Sequence, residues 1–402
     1  MGAGNEPASD GFSGEAPKGK TKVLFCGCEF LEGWNQTRLA VENAGLSDVI
    51  DVVRCERADV AREIRDAHVA VPLMTRLDAT TLRDARSLRM VLQFGVGLEG
   101  VDEAACVAAG IVLARIPSEH TGNAASTAEM AIYLTLAAMR QVWAMRDSVV
   151  NTTLGSPMGA TLRGKRVFVV GWGSVGRTIA AMLAPFGCSV SAAKRSAWTF
   201  PETGEGADAL ERSLAGKHVS GDIGDATGDA TDPPIGEAKE TRVCSSPTNG
   251  LFAGLRDAHV VILACTQTAE NAGMVDDAFL DATRDGCVLV NVARGGLFQP
   301  EAILRALDAK EKKLAFVASD VAWEEPVDPS HPLVRHERAY FTPHVGGVTD
   351  VSYRRMGEIV RDVARAVHEK KGLAYLAERV AACAPVNATR LRETFPGVAF
   401  LE

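Results

Sequence analysis

The sequence lacks an excess of positive charge: 43 Lys and Arg stand against 51 Asp and Glu, a formal net charge of -8. Binding along a phosphate backbone depends on clustered cations, so no nucleic-acid partner is expected. No apolar run approaches the roughly 20 residues that cross a bilayer. Residues 1–20 carry Glu6, Asp10 and Glu15 without an apolar or arginine-rich leader pattern. No membrane partner is expected, and this reading places the chain in the cytosol. The 9 cysteines are scattered. The nearest pair, Cys26 and Cys28, is not C-x-x-C, so no metal is expected and the thiols read as reduced and buried. The Asn-x-Thr triplets at Asn35, Asn151 and Asn387 would matter only in a secreted chain.

What is present suits a globular α/β protein. The 402 residues are 47% hydrophobic and 23% charged, with 38 glycines, and the length favours two domains sharing a cleft. After a head over 1–20 that reads as disordered, short β-rich runs alternate with helical stretches: Val23-Leu24-Phe25, Ile50-Asp51-Val52-Val53, Val69-Ala70-Val71, Met90-Val91-Leu92 and Ile111-Val112-Leu113. A second series follows Gly164-Lys165: Val167 to Val170, Val260 to Leu263, Val288-Leu289-Val290 and Leu314 to Val317. Near-continuous apolar strands belong to parallel sheets covered on both faces, so two doubly wound units are predicted. A buried helix over Ser126 to Arg140 links them, with the hinge near it. The segment over about 198–250, rich in Gly, Ala, Asp, Thr and Pro, reads as an inserted surface loop leaving the sheet. Asp350 reads as the cap of a helix with Met356, Ile359, Val360, Val363 and Val367 at helical spacing and Gly372 as its stop, packed back onto the first unit. No internal repeat beyond the βα alternation is read, and residues after about Val380 give no signal.

Gly171-Trp172-Gly173-Ser174-Val175-Gly176 follows an apolar strand and opens a helix containing Ile179, Met182 and Leu183. In a dinucleotide site the first glycine permits the tight turn, the second lets the backbone approach a pyrophosphate, and the third lets helix and strand pack closely. Alone, G-x-G-x-x-G is a weak signal and fits a plain turn; the flanking strand and helix make it specific. The next strand, Cys188 to Ala193, should end in the acidic residue that holds a ribose 2'-hydroxyl, but Lys194, Arg195 and Ser196 stand there. Two cations and a hydroxyl suit a 2'-phosphate, which favours NADP(H) and leaves NAD(H) open.

Three polar residues follow strand-like runs of the second series. They are Arg294 in Val290-Asn291-Val292-Ala293-Arg294-Gly295-Gly296, Glu325 in Asp320-Val321-Ala322-Trp323-Glu324-Glu325-Pro326, and His344 in Thr342-Pro343-His344-Val345-Gly346-Gly347. Ligands of parallel α/β sheets bind at the carboxyl ends of strands, so the three can converge. Singly, such an Arg or Glu is more often half of a surface ion pair, and such a His a structural residue. Their order as a set carries the weight.

That set, with Gly95-Val96-Gly97-Leu98-Glu99-Gly100-Val101-Asp102, Asn123 through Glu129 and the glycine turn, resembles the D-isomer-specific 2-hydroxyacid dehydrogenase family. The family includes phosphoglycerate dehydrogenase, glyoxylate/hydroxypyruvate reductase and D-lactate dehydrogenase. The resemblance runs nearly end to end, outside the 198–250 segment and the termini. The 320–326 segment is most similar to the plant-type phosphoglycerate dehydrogenase-like branch. The resemblance implies a flavodoxin-like substrate domain over 21–122 plus 346–402, and a Rossmann dinucleotide-binding domain over 123–345. It also implies interconversion of a small 2-keto acid and its D-2-hydroxy acid. Arg294 would clamp the substrate carboxylate with its guanidinium fork and polarise the adjacent carbonyl. His344 would protonate the developing alkoxide, with Glu325 accepting the other ring N–H and favouring the charged imidazole. By the same resemblance the backbone amides of Val96 and Gly97 hold the carboxylate, and Asn123 stands at the interdomain edge beside the substrate. Asp320 meets the nicotinamide carboxamide, and Ser174, Val175, Cys265, Val292, Ala293 and Gly346 are further coenzyme contacts. Relatives dimerise through their cofactor domains, so a homodimer is expected.

The sequence departs from phosphoglycerate dehydrogenases where an Arg-Ser pair helps bind substrate phosphate. Pro72 and Leu73 occupy those places in Val71-Pro72-Leu73-Met74-Thr75-Arg76, with Arg76 one possible replacement from a shifted position. No regulatory domain is read after the Asp350 helix. The expectation is therefore a glyoxylate or hydroxypyruvate reductase-like activity, with phosphoglycerate dehydrogenase as an alternative. A dinucleotide-sensing scaffold like the corepressors of this fold is another. Formate dehydrogenases resemble the family too, but place a glutamine where Glu325 stands.

Overall fold

The computed structural model describes residues 19–119, 121–194, 242–244, 249–310, 313–371 and 383–394. The chain divides into two units, Met1–Asn123 with Val348–Glu402, and Ala124–Gly347.

The first unit carries strands β1 (Thr21–Cys26), β2 (Ile50–Cys55), β3 (Val69–Val71), β4 (Met90–Gln93), β5 (Val112–Arg115) and β13 (Ala384–Pro385). They form one sheet in the order β13-β5-β4-β3-β1-β2. All neighbours are parallel except β13, which runs antiparallel to β5. Val23, Leu24, Phe25 and Cys26 are fully buried in succession, as a strand covered on both faces requires. One cover is the helix pair α1 (Leu31–Asn43) and α12 (Asp350–His368). Met356, Ile359, Val360, Val363 and Val367 of α12 share a core with Val23, Phe25 and Val52. A Cβ at Gly357 would lie 2.7 Å from the Gln36 carbonyl carbon, so these helices touch backbone to backbone. The N-cap of α12 is Thr349 rather than Asp350: its hydroxyl accepts from the Ser352 amide at 3.3 Å, and Asp350 sits in the first turn, where the helix dipole favours it. The helix closes at His368, and Gly372 lies outside the described residues. Past Val380, where the sequence gives no signal, β13 and a short helix over Ala388–Thr394 complete the unit.

The second unit opens with α5 (Asn123–Arg140) and α6 (Val142–Val150), then β6 (Arg166–Val170), α7 (Ser174–Leu183), β7 (Ser189–Ala193), β8 (Arg242–Cys244) and α8 (Asn249–Asp257). It continues through β9 (Val260–Leu263), α9 (Asp277–Ala282), β10 (Cys287–Asn291), α10 (Pro300–Asp308), β11 (Leu314–Ser319), α11 (Pro332–Arg335) and β12 (Ala339–Phe341). Its seven strands are all parallel, in the order β12-β11-β10-β9-β6-β7-β8. Ala128, Ala131 and Leu134 of α5 cover one face over Val167, Val169 and Ile262. Phe279, Leu280, Ile303 and Leu307 cover the other over Phe168, Val261 and Leu289. Each such large apolar side chain contributes about 1.5–3 kcal/mol by its burial. Both units are thus doubly wound α/β, the expected class.

The expected 198–250 loop needs correction. Arg242–Cys244 pairs with β7 as the edge strand, and α8 begins at Asn249, so the end of that segment returns to the sheet. Three consecutive residues at an edge are too few for an alternation to be read. The fold also exposes a short internal repeat missed in the sequence: Arg65-Asp66-Ala67-His68-Val69 and Arg256-Asp257-Ala258-His259-Val260. Each histidine precedes the strand that pairs with its unit's first strand. His68 Nδ1 accepts from the Lys22 amide at 3.0 Å and His259 Nδ1 from the Arg166 amide at 3.2 Å.

Among the described residues, no helix is long and apolar enough to cross a membrane. Nor does any group of three or more His, Cys, Asp or Glu there have the arrangement to hold a metal ion.

Candidate active site

The chain reverses its winding direction between β6 and β9, and such a switch point at the carboxyl edge is where ligands bind in these sheets. The glycine turn lies there. Gly171 has φ +113, and a Cβ on it would lie 2.6 Å from backbone atoms of Ala264 and Cys265, so the turn after β6 fits against the end of β9 only with glycine. A Cβ on Gly176 would lie 2.0 Å from the Gly171 carbonyl oxygen. Gly173 differs. Its φ of -80 and ψ of -167 suit any residue, and a Cβ there would meet no protein atom within 4 Å. Nothing inside the chain requires glycine at this position. The bare backbone stands at the start of α7, where Ser174 and Val175 begin the helix and the amides and dipole favour an anion, so these residues fit a dinucleotide pyrophosphate.

Cys265 follows β9 beside Gly171, and burial pushes its thiol up to about 11, which leaves it unreactive. Lys194 follows β7, while Arg195 and Ser196 lie outside the described residues. Val292 and Ala293 are buried just beyond β10.

Arg294, Glu325 and His344 follow the ends of β10, β11 and β12 on the same carboxyl edge. His344 Nδ1 and Glu325 Oε2 are 2.7 Å apart, and Glu325 Oε1 accepts from the Ala322 amide at 3.0 Å. Burial pushes the Glu325 carboxyl up. The hydrogen bond and charge of His344, the Ala322 amide and the Arg294 charge together outweigh it, so Glu325 lies below the ordinary carboxylate value. Both oxygens are thus occupied and the carboxylate is held ionised beside the imidazole.

Asp320, 3% exposed, organises the histidine loop. Its Oδ1 accepts from the Thr342 hydroxyl at 2.6 Å and the Val345 amide at 2.9 Å, and its Oδ2 from the Gly346 amide at 2.7 Å. Burial pushes the Asp320 carboxyl above the ordinary value, and these three donors and the His344 charge pull against it. Gly346 has no room for more: a Cβ would stand 2.7 Å from Asp320 Oδ2.

The arginine turn packs against the same segments. A Cβ on Gly295 would lie 1.8 Å from the Ala322 carbonyl oxygen, so this backbone touches the residue whose amide holds Glu325. The Arg294 guanidinium donates to the Ala293 carbonyl at 2.8 Å.

Arg294, Glu325, His344, Asp320 and the glycine turn therefore belong to one unit, at one sheet edge. Val96, Gly97 and Asn123 belong to the first unit. Val96 and Gly97 follow β4 in a half-buried loop, and the Asn123 side chain donates to the Ser352 hydroxyl at 3.2 Å. Sequence reasoning assigned nothing to Asn291, Ser319, Thr342 and Gly295. For the first two there was a signal, a polar residue ending an otherwise apolar strand.

These features define the class first: an α/β protein with a nucleotide-binding turn and a carboxylate–imidazole pair with an arginine on its strand ends. A family model described as "D-isomer specific 2-hydroxyacid dehydrogenase, NAD binding domain" matches residues 132–216 and 231–346. The chain belongs to that family, and the matched region is its NAD-binding domain. A D-3-phosphoglycerate dehydrogenase of Archaeoglobus fulgidus is 28% identical over 309 residues, covering 76% of this chain and 50% of that protein. A glyoxylate reductase of Aeropyrum pernix is 27% identical over 305 residues, covering 73% of this chain and 77% of that one. The crystal structure of a glyoxylate reductase from Paecilomyes thermophila superposes with a TM-score of 0.65 at 21% identity, covering 87% of this chain and 96% of that chain. The likeness to that structure shows the fold. The chain spans about half the length of the first curated relatives it matches.

Proposed function

We propose that the protein is a nicotinamide-dependent dehydrogenase that interconverts a small 2-keto acid and its D-2-hydroxy acid. The observation that carries this is the 2.7 Å Glu325–His344 pair standing on the sheet edge that also presents Arg294 and the glycine turn. The coenzyme, when bound, supplies or accepts the hydride. Gly173 leaves room for its pyrophosphate at the start of α7, and Gly171 and Gly176 let the turn itself close. Arg294 binds the substrate carboxylate through paired hydrogen bonds and polarises the neighbouring carbonyl. In reduction, the His344 imidazolium gives its Nε2 proton to the forming alkoxide; Glu325 keeps Nδ1 protonated, fixes the ring plane and stabilises the charged ring. In oxidation the neutral imidazole takes the hydroxyl proton. The family resemblance assigns Asp320 to the carboxamide, and assigns the Val96 and Gly97 amides and Asn123, all of the first unit, to the substrate.

For the coenzyme we favour NADP(H), because Lys194 and not an acid follows β7. For the substrate we favour glyoxylate or hydroxypyruvate. Pro72 and Leu73 are buried and apolar, so the loop after β3 offers a phosphate only the exposed Arg76; this argues against 3-phosphoglycerate. A homodimer through the cofactor unit is supported by apolar side chains left exposed there: Val149 and Val150 of α6, with Leu154 and Met158 beyond it.

Initial rates with glyoxylate, hydroxypyruvate, pyruvate and phosphohydroxypyruvate, each with NADPH and NADH, test the reading. Saturable oxidation of NADPH by the first two is expected, and no turnover with any of them would overturn it. A clear NADH preference would overturn the coenzyme reading alone. Light scattering after size exclusion tests the dimer.

A further inference from the structure

We infer that Asn291 is a positioning residue for Arg294, gripping the arginine turn from within the sheet so that the guanidinium stands where a substrate carboxylate can be clamped. The inference deepens the role proposed for Arg294 and rests on it.

Asn291 ends β10 and is fully buried, after Cys287, Val288, Leu289 and Val290, all apolar and buried. Burying an amide at such a place is costly unless both of its ends are bonded. Here both are bonded, and both bonds go to the arginine turn. The Asn291 Nδ2 donates to the Arg294 carbonyl at 3.0 Å, and the Oδ1 accepts from the Ala293 amide at 2.9 Å. The side chain thus holds the Val292–Ala293 and Arg294–Gly295 peptide groups, one before and one after the Ala293–Arg294 step, and the backbone at Arg294 is extended at φ -147 and ψ 141.

The main chain of Asn291 faces the other way. Its carbonyl accepts from the Asp320 amide at 2.9 Å and from the Ser319 hydroxyl at 3.3 Å. Asp320 then receives the loop that carries His344, as described above. The guanidinium turn and the imidazole loop are therefore braced from one buried polar network, and the Asn291 side chain is the member that fixes the arginine. A leucine of similar size would suit the apolar strand end, but would leave the Ala293 amide and the Arg294 carbonyl without these bonds. An amide serving the sheet alone would bond across to a neighbouring strand.

Asn291→Asp and Asn291→Ala test this. The aspartate keeps an acceptor for the Ala293 amide. Opposite the Arg294 carbonyl it places an oxygen that repels when ionised and donates when protonated. A misplacement of about 1 Å at a clamp costs up to about 100-fold. We expect the KM for hydroxypyruvate to rise about tenfold or more in both variants, with the NADPH dissociation constant within about twofold of the parent. Relative to the parent at each pH, the activity of Asn291→Asp should recover as pH falls from about 8 to about 6, because burial favours the protonated acid, whereas the ratio of Asn291→Ala to the parent should stay flat. Crystal structures should show the guanidinium displaced by about 1 Å or more with the Glu325–His344 pair intact. An unmoved guanidinium, or equal weakening of keto acid and coenzyme, would overturn the inference. If the parent protein reduces no 2-keto acid, the proposed function fails, and the guanidinium position in the variants still decides the role of Asn291.

Discussion

Two glycines of the same turn should respond in opposite ways to the same substitution. At Gly176 an added methyl would stand 2.0 Å from the Gly171 carbonyl oxygen. Carbon contacts are ordinarily about 3.5 Å, so backbone must give by about 1 Å or more, and overpacking of this kind costs about 1–3 kcal/mol. At Gly173 the methyl meets no protein atom within 4 Å, and the backbone is one that alanine adopts freely. There the substitution removes unfolded-chain freedom and should stabilise the fold by about 0.4–1 kcal/mol. Its cost falls on the ligand, because the methyl occupies the approach to the start of α7. The assay is urea unfolding of the coenzyme-free protein together with fluorescence titration by NADPH and NADH. Gly176→Ala should lower the unfolding midpoint. Gly173→Ala should keep or raise the midpoint and weaken coenzyme by about tenfold or more, about 1.4 kcal/mol. If Gly173→Ala binds coenzyme as the parent does, the pyrophosphate does not lie where this turn places it, and the assignment of the site is wrong.

Gly295→Ala puts its methyl 1.8 Å from the Ala322 carbonyl oxygen, and should lower kcat/KM by about tenfold or more through displacement of Glu325; a variant of unchanged kcat/KM would refute that coupling. Because Glu325 is held below the ordinary carboxylate value, it remains ionised from neutral pH down past that value, and its contribution to stability is lost only as pH falls through the lowered one. Glu325→Gln should therefore change the pH profile of keto-acid reduction, since a neutral amide no longer places a charge beside the ring; a superimposable pH profile would count against the pair. His259 is pushed down to about 4, chiefly by burial and then by the charges of Arg284, Arg166 and Lys165. The unfolded chain thus takes up a proton that the folded one refuses, and stability falls between about pH 6.5 and pH 4, by about 1–2 kcal/mol after allowance for solvent on the ring's open side. His259→Asn should flatten this acid dependence in urea melts at several pH values, and parallel curves for the two proteins would contradict the assignment.

Most strands of the two sheets were legible because they are nearly unbroken apolar runs, whereas β8 and β13 at the sheet edges gave no such signal, and the glycine turn was legible because strand, glycines and helix follow one another without a gap. Val260 to Leu263 and Val167 to Val170 are examples, fully or nearly fully buried where expected. Arg294, Glu325 and His344 could be picked out because each follows such a strand, and a parallel sheet brings all its strand ends to one edge. What could not be read was lateral. The bonds from the Asp320 amide and the Ser319 hydroxyl to the Asn291 carbonyl, and from the histidine loop to the Asp320 carboxylate, depend on β10, β11 and β12 being neighbours, and strand order is not a property of any local pattern. Thr349 in place of Asp350 as the cap of α12 is a smaller case. Both residue types cap helices well, and only the geometry of the Ser352 amide decides between them.

His344 has φ +55, a left-handed backbone that costs a residue other than glycine about 1–3 kcal/mol unless its surroundings impose it. Here they do. Its amide donates to the Asp320 carbonyl at 2.8 Å and to the Thr342 carbonyl at 3.0 Å, while the Thr342 hydroxyl and the amides of Val345 and Gly346 converge on the Asp320 carboxylate. A loop relaxed to ordinary angles would present those amides elsewhere and swing the imidazole away from Glu325. Conversely, an apolar residue at 320 would relieve the burial of a carboxylate but leave the loop nothing to close upon. The strain at His344 and the buried charge of Asp320 are therefore mutually dependent: each is unfavourable alone, and together they hold the imidazole Nδ1 on Glu325.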